Sequence, residues 1–347
     1  MIYLGGFLIA AFIAWMVSAA IRRIALRYKL VDVPDAVRKL HARPTPLVGG
    51  VAIFSALIVT IVLMAILSPV LLSGGYEIKQ FIGFFLGGLT LMVGGYLDDR
   101  YHLRPRTQLA FPLIAALIVM ASGIGIRFIT NPLGGVISLE GMHLADIFTV
   151  CWLLVTMYAF KVLDGIDGLA SSVGIIGSVI TFLVSMRYPY NQPDAALFAI
   201  IAAGAFLGFL IWNFPPARLF LGEGGSLLVG FVLGVLAILS GSKIATALLV
   251  AAFPLVDMVY VVLRRIFVLK KSPFVGDREH LHFRLLDLGL SQRVVVGIFV
   301  AFALLFGLVT LLFPSFQKAI ILGILLVIAF GFERIITRRR QSSKPLM

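Results

Sequence analysis

Long apolar runs alternate with short polar segments along almost the whole chain. A membrane-spanning helix needs about 20 consecutive apolar residues, and on this basis the sequence contains about eleven predicted spans. Because a spanning helix satisfies its own backbone hydrogen bonds, the pattern predicts an all-α polytopic membrane protein, formed as a single domain over residues 1–347. The predicted spans lie near residues 2–20, 47–68, 80–97, 108–125, 145–162, 168–186, 194–212, 224–240, 243–263, 293–313 and 318–335.

One connection between spans has a different pattern. From Asn131 to Asp146 it contains the run Asn-Pro-Leu-Gly-Gly, followed by apolar residues at Val136, Ile137 and Leu139. Turn residues beside short apolar runs are typical of a β-hairpin. We therefore predict a small hairpin near 131–146, on the outer side of the membrane.

The positive charges are distributed unevenly between the two sides. If the N-terminus lies outside, 24 of the 29 Lys and Arg residues fall in inner segments. Such an excess marks the cytoplasmic side, so the N-terminus is predicted outside and the C-terminus inside. With 61% hydrophobic and 13% charged residues, the composition excludes an ordinary soluble domain. The net charge of +13 is then explained by contact with anionic membrane lipid, and no nucleic-acid partner is predicted.

The sequence Asp-Gly-x-Asp-Gly lies between two predicted spans, with its acids at Asp164 and Asp167. Carboxylates three residues apart share one face of a helical turn. Ionisable groups at membrane depth are costly and are found mainly where they line a cavity, pair or do chemistry. A functional role is therefore favoured over a solvated helix end.

A second acidic pair, Asp98 and Asp99, ends an earlier span on the same predicted side. Adjacent carboxylates repel each other unless a cation or a proton separates them. Together with Asp164 and Asp167, this pair indicates a site for a divalent cation and phosphate, because hard cations prefer oxygen ligands. The alternative for Asp98 and Asp99 alone is a solvated helix cap.

Two basic segments also fall on the inner side. The first carries Lys39 and His41, which either belong to a juxtamembrane basic loop or hold an anionic substrate. The second carries Arg278, His280 and His282. Two histidines alone are short of the ligands that zinc needs, so contact with phosphate or sugar is preferred.

A glycine-rich segment follows Asn213 and contains the acid Glu223 in the run Gly-Glu-Gly-Gly-Ser. Such a turn leads into an apolar helix, where backbone N–H groups could hold phosphate. The alternative is a tight loop without a ligand.

These segments, in this order, resemble the polyprenyl-phosphate N-acetylhexosamine-1-phosphate transferases, in the branch that uses UDP-GlcNAc and undecaprenyl phosphate. The resemblance implies transfer of a HexNAc-1-phosphate, with GlcNAc-1-phosphate favoured, and release of UMP. It also implies Mg²⁺ as cofactor, with Mn²⁺ as an alternative, a bacterial inner-membrane location with the site on the cytoplasmic face, and a homodimer as one assembly. It assigns catalysis to Asp98, Asp99, Asp164 and Asp167, metal binding to Glu223, Asp98 and Asp99, and substrate contact to Lys39, His41, Asn213, Arg278, His280 and His282. Lys161, which is not part of the family pattern, is a further candidate for substrate contact.

The chain departs from this family's pattern at polar positions. Gln108 and Pro112 stand where the family has lysine and glutamine, Lys161 replaces an asparagine, Glu223 an aspartate and Phe283 a third histidine. Two interpretations follow. In one, the site is retuned and Lys161 supplies the missing cation. In the other, Lys161 forms a salt bridge with Asp164 or Glu223, and the protein is a catalytically silent binder of polyprenyl phosphate or nucleotide. A transporter is disfavoured because the charges gather at one membrane face.

Overall fold

The computed structural model describes residues 1–32, 44–73, 75–131, 135–139, 143–187, 191–241, 251–270, 278–313 and 315–342. Within these ranges nine helices are long and apolar enough to cross a membrane, as expected for an all-α polytopic membrane protein. The predicted span near 108–125 is a shorter helix, Pro105–Ala121, of 17 residues. The predicted span near 243–263 lies only partly within the described residues.

The helices are joined by connections of very different length. Pro105 and Pro193 each begin a helix, where the missing N–H costs nothing. In chain order the helices are α1 Ile2–Arg27, α2 Gly49–Leu67, α3 Val70–Ser73, α4 Ile78–Tyr101, α5 Pro105–Ala121, α6 His143–Leu163, α7 Leu169–Met186, α8 Pro193–Asn213, α9 Gly222–Leu239, α10 Ala252–Arg264, α11 Leu281–Asp287, α12 Gln292–Leu312 and α13 Ser315–Ser342, with a π-helical turn Arg265–Leu269 after α10.

Two short antiparallel ribbons join the helices. The predicted hairpin is confirmed as β3 Phe128–Thr130 paired with β4 Val136–Ser138. The other ribbon pairs β1 Val31–Asp32 with β2 Thr45–Pro46, at the end of the bundle where the acids gather.

Helices α8 and α9 form the centre of the bundle. Helix α8 packs against α1 and α7, and α9 packs against α4 and α6. Both are rich in alanine and glycine, and small residues allow helix backbones to approach closely where lipid supplies no hydrophobic driving force. In contrast, Leu4, Leu8 and Phe12 of α1 point outward, as expected for a lipid-facing surface.

The acidic segments meet at one end of this bundle. The ends of α4, α6 and α8 lie beside the beginnings of α7 and α9. The strand β2 closes the group, because the Phe220 N–H donates to the Pro46 carbonyl over 2.9 Å. Segments far apart in sequence therefore form one site.

Candidate active site

A cavity of about 330 Å³ opens at this end of the bundle. Five carboxylates line it, together with one ammonium group among the described lining residues, that of Lys161. Such an excess of negative charge is unfavourable unless cations or protons balance it. The acids are Asp32, Asp99, Asp164, Asp167 and Glu223.

Asp99 and Glu223 are joined at the first turn of α9. The Glu223 N–H donates to Asp99 Oδ2 over 3.2 Å, so the carboxylate satisfies a backbone donor that the helix start leaves free. Gly222 has φ of +73° and lies so close to the Leu47 carbonyl that an added Cβ would stand 2.0 Å from it. A glycine is therefore required for this turn to reach Asp99.

Helices α4 and α9 cross at glycines just before these acids. A Cβ added to Gly95 would lie 2.1 Å from the Gly224 nitrogen and 2.2 Å from its Cα. The contact is backbone against backbone, so no side chain can move away to relieve it. The crossing therefore fixes the distance between Asp99 on α4 and Glu223 on α9.

We expect Gly95→Ala to destabilise the protein by about 1–3 kcal/mol, the usual cost of overpacking. The matched control is Gly297→Ala in α12, where an added Cβ meets nothing within 4 Å. Thermal unfolding in detergent, followed by tryptophan fluorescence, measures both variants. Equal melting temperatures for Gly95→Ala and Gly297→Ala would contradict the close crossing.

Asp164 and Asp167 lie in the turn between α6 and α7, since α6 ends at Leu163, so the single helical turn expected for them is not formed. Asp167 Oδ2 accepts the Ala217 N–H over 2.9 Å. Burial, followed by the charges of Glu223, Asp167 and Asp99, raises the pKa of Asp164 well above its usual range. The turn therefore holds a carboxylate that favours either a proton or a nearby cation.

Lys161 forms the ion pair with Glu223 that one interpretation of the sequence predicted. Its Nζ lies 2.7 Å from Glu223 Oε2, with side-chain exposures of 21% and 35%. The ammonium also lies 5.9 Å from the centre of the Tyr158 ring. Among the described lining residues, the ammonium of Lys161 is thus placed directly against Glu223.

Asn213 lines the cavity but its polar atoms are engaged by the protein. Its Oδ1 accepts the Gly168 N–H over 3.0 Å, and its Nδ2 donates to the Leu219 carbonyl over 3.0 Å. Asn213 therefore ties the turn containing Asp167 to the loop before α9. This role differs from the substrate contact implied by the resemblance.

Asp98 does not line this cavity, unlike its neighbour Asp99. Asp98 Oδ1 accepts the Leu103 N–H and the Gln108 Nε2–H, each over 2.9 Å. Adjacent residues on a helix point in different directions, so both acids cannot face the same space. Asp98 and Gln108 instead hold the connection from α4 to α5, and Pro112 lies buried inside α5.

The two histidines lie at the beginning of α11. His280 Nδ1 lies 3.0 Å from Asp257 Oδ2, and the His280 and His282 rings stack with centroids 5.9 Å apart. Arg278 pairs with Asp287 over 3.1 Å and lies 5.0 Å from the ring centre of Phe283, the residue that faces the cavity. Arg278 is therefore engaged by neighbouring side chains.

His282 is fully buried, which lowers the pKa of its imidazole to about 3 from an ordinary value of 6.5. Between these values the unfolded chain binds a proton that the folded chain excludes, so stability falls as pH drops from 6.5 towards 3. We expect His282→Gln to lose less stability than wild type over pH 7 to 4, measured as melting temperature. The exposed His102→Gln is the control, and parallel curves for His282→Gln and wild type would contradict the assignment.

Two predicted residues, Lys39 and His41, lie outside the described residues. Asp32 and Gln292 also line the cavity and were not predicted from the sequence, whereas Phe283 lines it at the position where the family pattern has a third histidine. Asp32 follows Lys29 and two apolar residues just after the end of α1, and its only signal in the sequence was an acid beside a predicted inner membrane surface.

The carboxylates fit a divalent cation shared with a phosphorylated substrate. In the described part of the chain, no three acidic or histidine side chains group closely enough to form a metal site alone. Mg²⁺, however, usually takes one or two carboxylates and completes its shell with water and substrate phosphates. Asp99, Asp164 and Glu223 present hard oxygen atoms to the same cavity and meet this requirement.

A second, smaller groove of about 110 Å³ adjoins the cavity and shares Asp99 with it. Apolar residues such as Val51, Met92 and Tyr96 line it, and Lys29 and Arg100 add cations. Val51 and Tyr96 are also 40% and 49% exposed on the bundle surface. The groove thus joins the acidic cavity to an apolar outer surface.

The fold and site define a polytopic membrane protein with an acidic, cation-accepting cavity at one end of its helical bundle. The sequence profile described as glycosyl transferase family 4 matches residues 81–241, from α4 to the end of α9. The chain is 30% identical to the decaprenyl-phosphate N-acetylglucosaminephosphotransferase of Mycobacterium tuberculosis, over 92% of this chain and 85% of the relative.

Two further relatives are undecaprenyl-phosphate α-N-acetylglucosaminyl 1-phosphate transferases. The protein from Thermotoga maritima is 28% identical over 87% of this chain and 88% of its own. The one from Escherichia coli is 27% identical over 78% and 73%. The chain belongs to glycosyl transferase family 4, among the polyprenyl-phosphate N-acetylglucosamine-1-phosphate transferases, and the resemblance read from the sequence is confirmed.

Proposed function

We propose that this protein transfers GlcNAc-1-phosphate from UDP-GlcNAc to undecaprenyl phosphate and releases UMP. The observation that carries the proposal is the convergence of Asp99, Asp164, Asp167 and Glu223 on one cavity, in a chain whose relatives are named for this transfer. The product would be the first lipid-linked sugar of a cell-surface polysaccharide.

The reaction forms one phosphorus–oxygen bond and breaks another. An oxygen of the acceptor phosphate attacks the sugar-linked phosphorus, and the bond from that phosphorus to UMP breaks, with UMP taking the electron pair. Phosphoryl transfer depends mainly on positioning and on stabilising the phosphate charge. The chain supports both, since Asn213 fixes the turn of Asp164 and Asp167, and Lys161 adds an ammonium that a diphosphate oxygen could share with Glu223.

Mg²⁺ is the proposed cofactor, with Mn²⁺ as a substitute, and Asp99, Asp164 and Glu223 are the residues that would hold it. When bound, such an ion neutralises charge on the diphosphate oxygens. Asp98, which bonds to Leu103 and Gln108, is left out of this ligand set.

The apolar groove beside Asp99 supports an approach of the acceptor from the bilayer. A polyprenyl chain needs an apolar path, while its phosphate needs a cation, and Arg100 and Lys29 line the same groove. A homodimer remains a prediction from the family resemblance.

The distribution of Lys and Arg supports a cytoplasmic site in the bacterial inner membrane. Cys151 is the only cysteine, so a Cys151→Ala chain carrying Arg104→Cys gives a single label site between α4 and α5. An impermeant maleimide should label it only after cells are opened. Labelling of intact spheroplasts would contradict the predicted topology and place this connection on the outer side.

The deciding experiment supplies the purified full chain with undecaprenyl phosphate, Mg²⁺ and UDP-GlcNAc and measures UMP. We expect UMP release that needs both the lipid and the divalent ion. UDP-GalNAc and UDP-glucose, supplied in place of UDP-GlcNAc, test which sugar the protein accepts. No UMP from any UDP-sugar, with binding of lipid or nucleotide retained, would instead establish the silent binder, an alternative that the named relatives do not support.

A further inference from the structure

Three charged side chains from three helices are buried together behind the histidines. Asp257 of α10, Arg284 of α11 and Glu333 of α13 are 2%, 0% and 1% exposed. Arg284 Nη2 pairs with Glu333 Oε2 and lies 3.4 Å from Asp257 Oδ1. Burying such a group costs desolvation that its pairing often fails to recover. Stability alone is therefore a weak reason for the cluster.

Asp257 connects this cluster to α11. Its Oδ1 accepts the Leu281 N–H over 2.8 Å, the first backbone donor of that helix, and its Oδ2 lies 3.0 Å from His280 Nδ1. One carboxylate thus fixes both the start of α11 and the plane of the His280 ring. Arg284 fixes the helix again, because its Nη1 donates to the Glu333 carbonyl over 3.2 Å.

The beginning of α11 contacts the candidate active site through His282. The His280 and His282 rings lie parallel, at 4° to each other. A Cβ added to Gly165 would stand 2.0 Å from His282 Nε2, so the imidazole lies against the backbone between Asp164 and Asp167. Neither ring nitrogen has a hydrogen-bond partner among the described residues, although the side chain is fully buried.

We propose that Asp257 and Glu333 are positioning residues of the transferase, acting through His280 and Arg284 to hold His282 against the turn of Asp164 and Asp167. This inference rests on the proposed function, because the turn is the one assigned to the reaction. The cluster itself contacts no substrate in this assignment. Its effect is to set where the two acids of the turn stand.

The test is Asp257→Asn, which keeps the shape of the side chain but removes its charge. We expect kcat to fall by about 10- to 100-fold, as when the partner that orients a functional histidine is removed, with KM for UDP-GlcNAc unchanged. The control is Asp194→Asn, because Asp194 is likewise buried, at 3% exposure, but lies at the beginning of α8. It should retain full turnover.

A double variant separates positioning from general stability. If Asp257 acts through His280, then Asp257→Asn with His280→Gln loses no more activity than the stronger single change, because residues in one network are not additive. Additive losses, or full turnover in Asp257→Asn, would overturn the proposal. Should Asp257→Asn fail to fold, Glu333→Gln decides, since full turnover of that folded variant would also overturn it.

A measurement that does not depend on turnover separates the positioning role of Asp257 and Glu333 from the proposed reaction. Diethyl pyrocarbonate modifies accessible neutral imidazoles, and mass spectrometry of the digested full chain locates the site. We expect His282 to be modified in Asp257→Asn but protected in wild type and Asp194→Asn. An inactive wild type would refute the proposed reaction, while protection of His282 in all three proteins would refute the positioning role.

Discussion

Asp164→Asn should lower kcat by about 100- to 1,000-fold, the usual cost of losing one group that stabilises charge in a transition state. Asp164 lies in the turn between α6 and α7 and faces the same cavity as Glu223, Asp167 and Asp99. Burial and the charges of these three neighbours both oppose ionisation of its carboxyl group and raise its pKa. In the proposed reaction that opposition would be relieved by the positive charge of the divalent ion.

The same substitution should leave the melting temperature unchanged or raise it. Removing one of several like charges relieves repulsion in the protein without its ligands, and active sites commonly give up stability for function. Asp194→Asn is the control for loss of a buried carboxylate. Wild-type turnover in Asp164→Asn, or a loss of activity that follows a lower melting temperature, would contradict a chemical role for this residue.

The convergence of acids from distant segments could be predicted from the sequence. Asp99, Asp164 and Glu223 each lie near the inner end of a predicted span, and spans of similar length bring such ends to one membrane face. The polytopic fold and the hairpin were predictable for the same reason, because both are patterns within short windows of sequence.

The roles of individual polar atoms were less predictable. Helix geometry alone could have separated Asp98 from Asp99, since neighbouring positions point about 100° apart. Asn213 is different, because its partners Gly168 and Leu219 are set by how α7 begins and how α8 ends. No local pattern contains that information.

Asp257 was missed although a signal existed. It is a lone acid within the apolar run near 243–263, and such residues usually have a partner and a purpose. The partner could not be chosen from the sequence, because His280, Leu281 and Arg284 all belong to a later helix. The partners of Asp257 are determined by the contacts between α10 and the beginning of α11 in the folded protein.

Lys161 is the cation that departs from the family pattern. Its ammonium lies 2.7 Å from Glu223 Oε2, so a divalent ion that uses Glu223 must compete with it. We expect Lys161→Asn to tighten Mn²⁺ binding by about tenfold or more, which corresponds to about 1.4 kcal/mol. Titration calorimetry on the purified chain without substrates measures this change.

Turnover by Lys161→Asn should fall, although the variant binds Mn²⁺ more tightly. If Lys161 also pairs with the diphosphate, Lys161→Asn lowers kcat by about 100-fold despite the tighter ion. Adding Gln108→Lys should not restore it, because Gln108 bonds to Asp98 outside the described cavity lining. Faster UMP release by either variant would mean that the ammonium obstructs the site, as the silent-binder interpretation requires.

Lys79→Asn provides the matched control. Lys79 and Glu77 form an ion pair of 2.9 Å at the beginning of α4, with exposures of 59% and 64%. Exposed pairs contribute little, so this variant should bind Mn²⁺ and turn over like wild type. The same effect in both lysine variants would mean that only the net charge of the protein matters. An effect in Lys161→Asn alone places this ammonium in the reaction. There it balances the charge of Glu223 before substrate binds and the charge of the diphosphate afterwards.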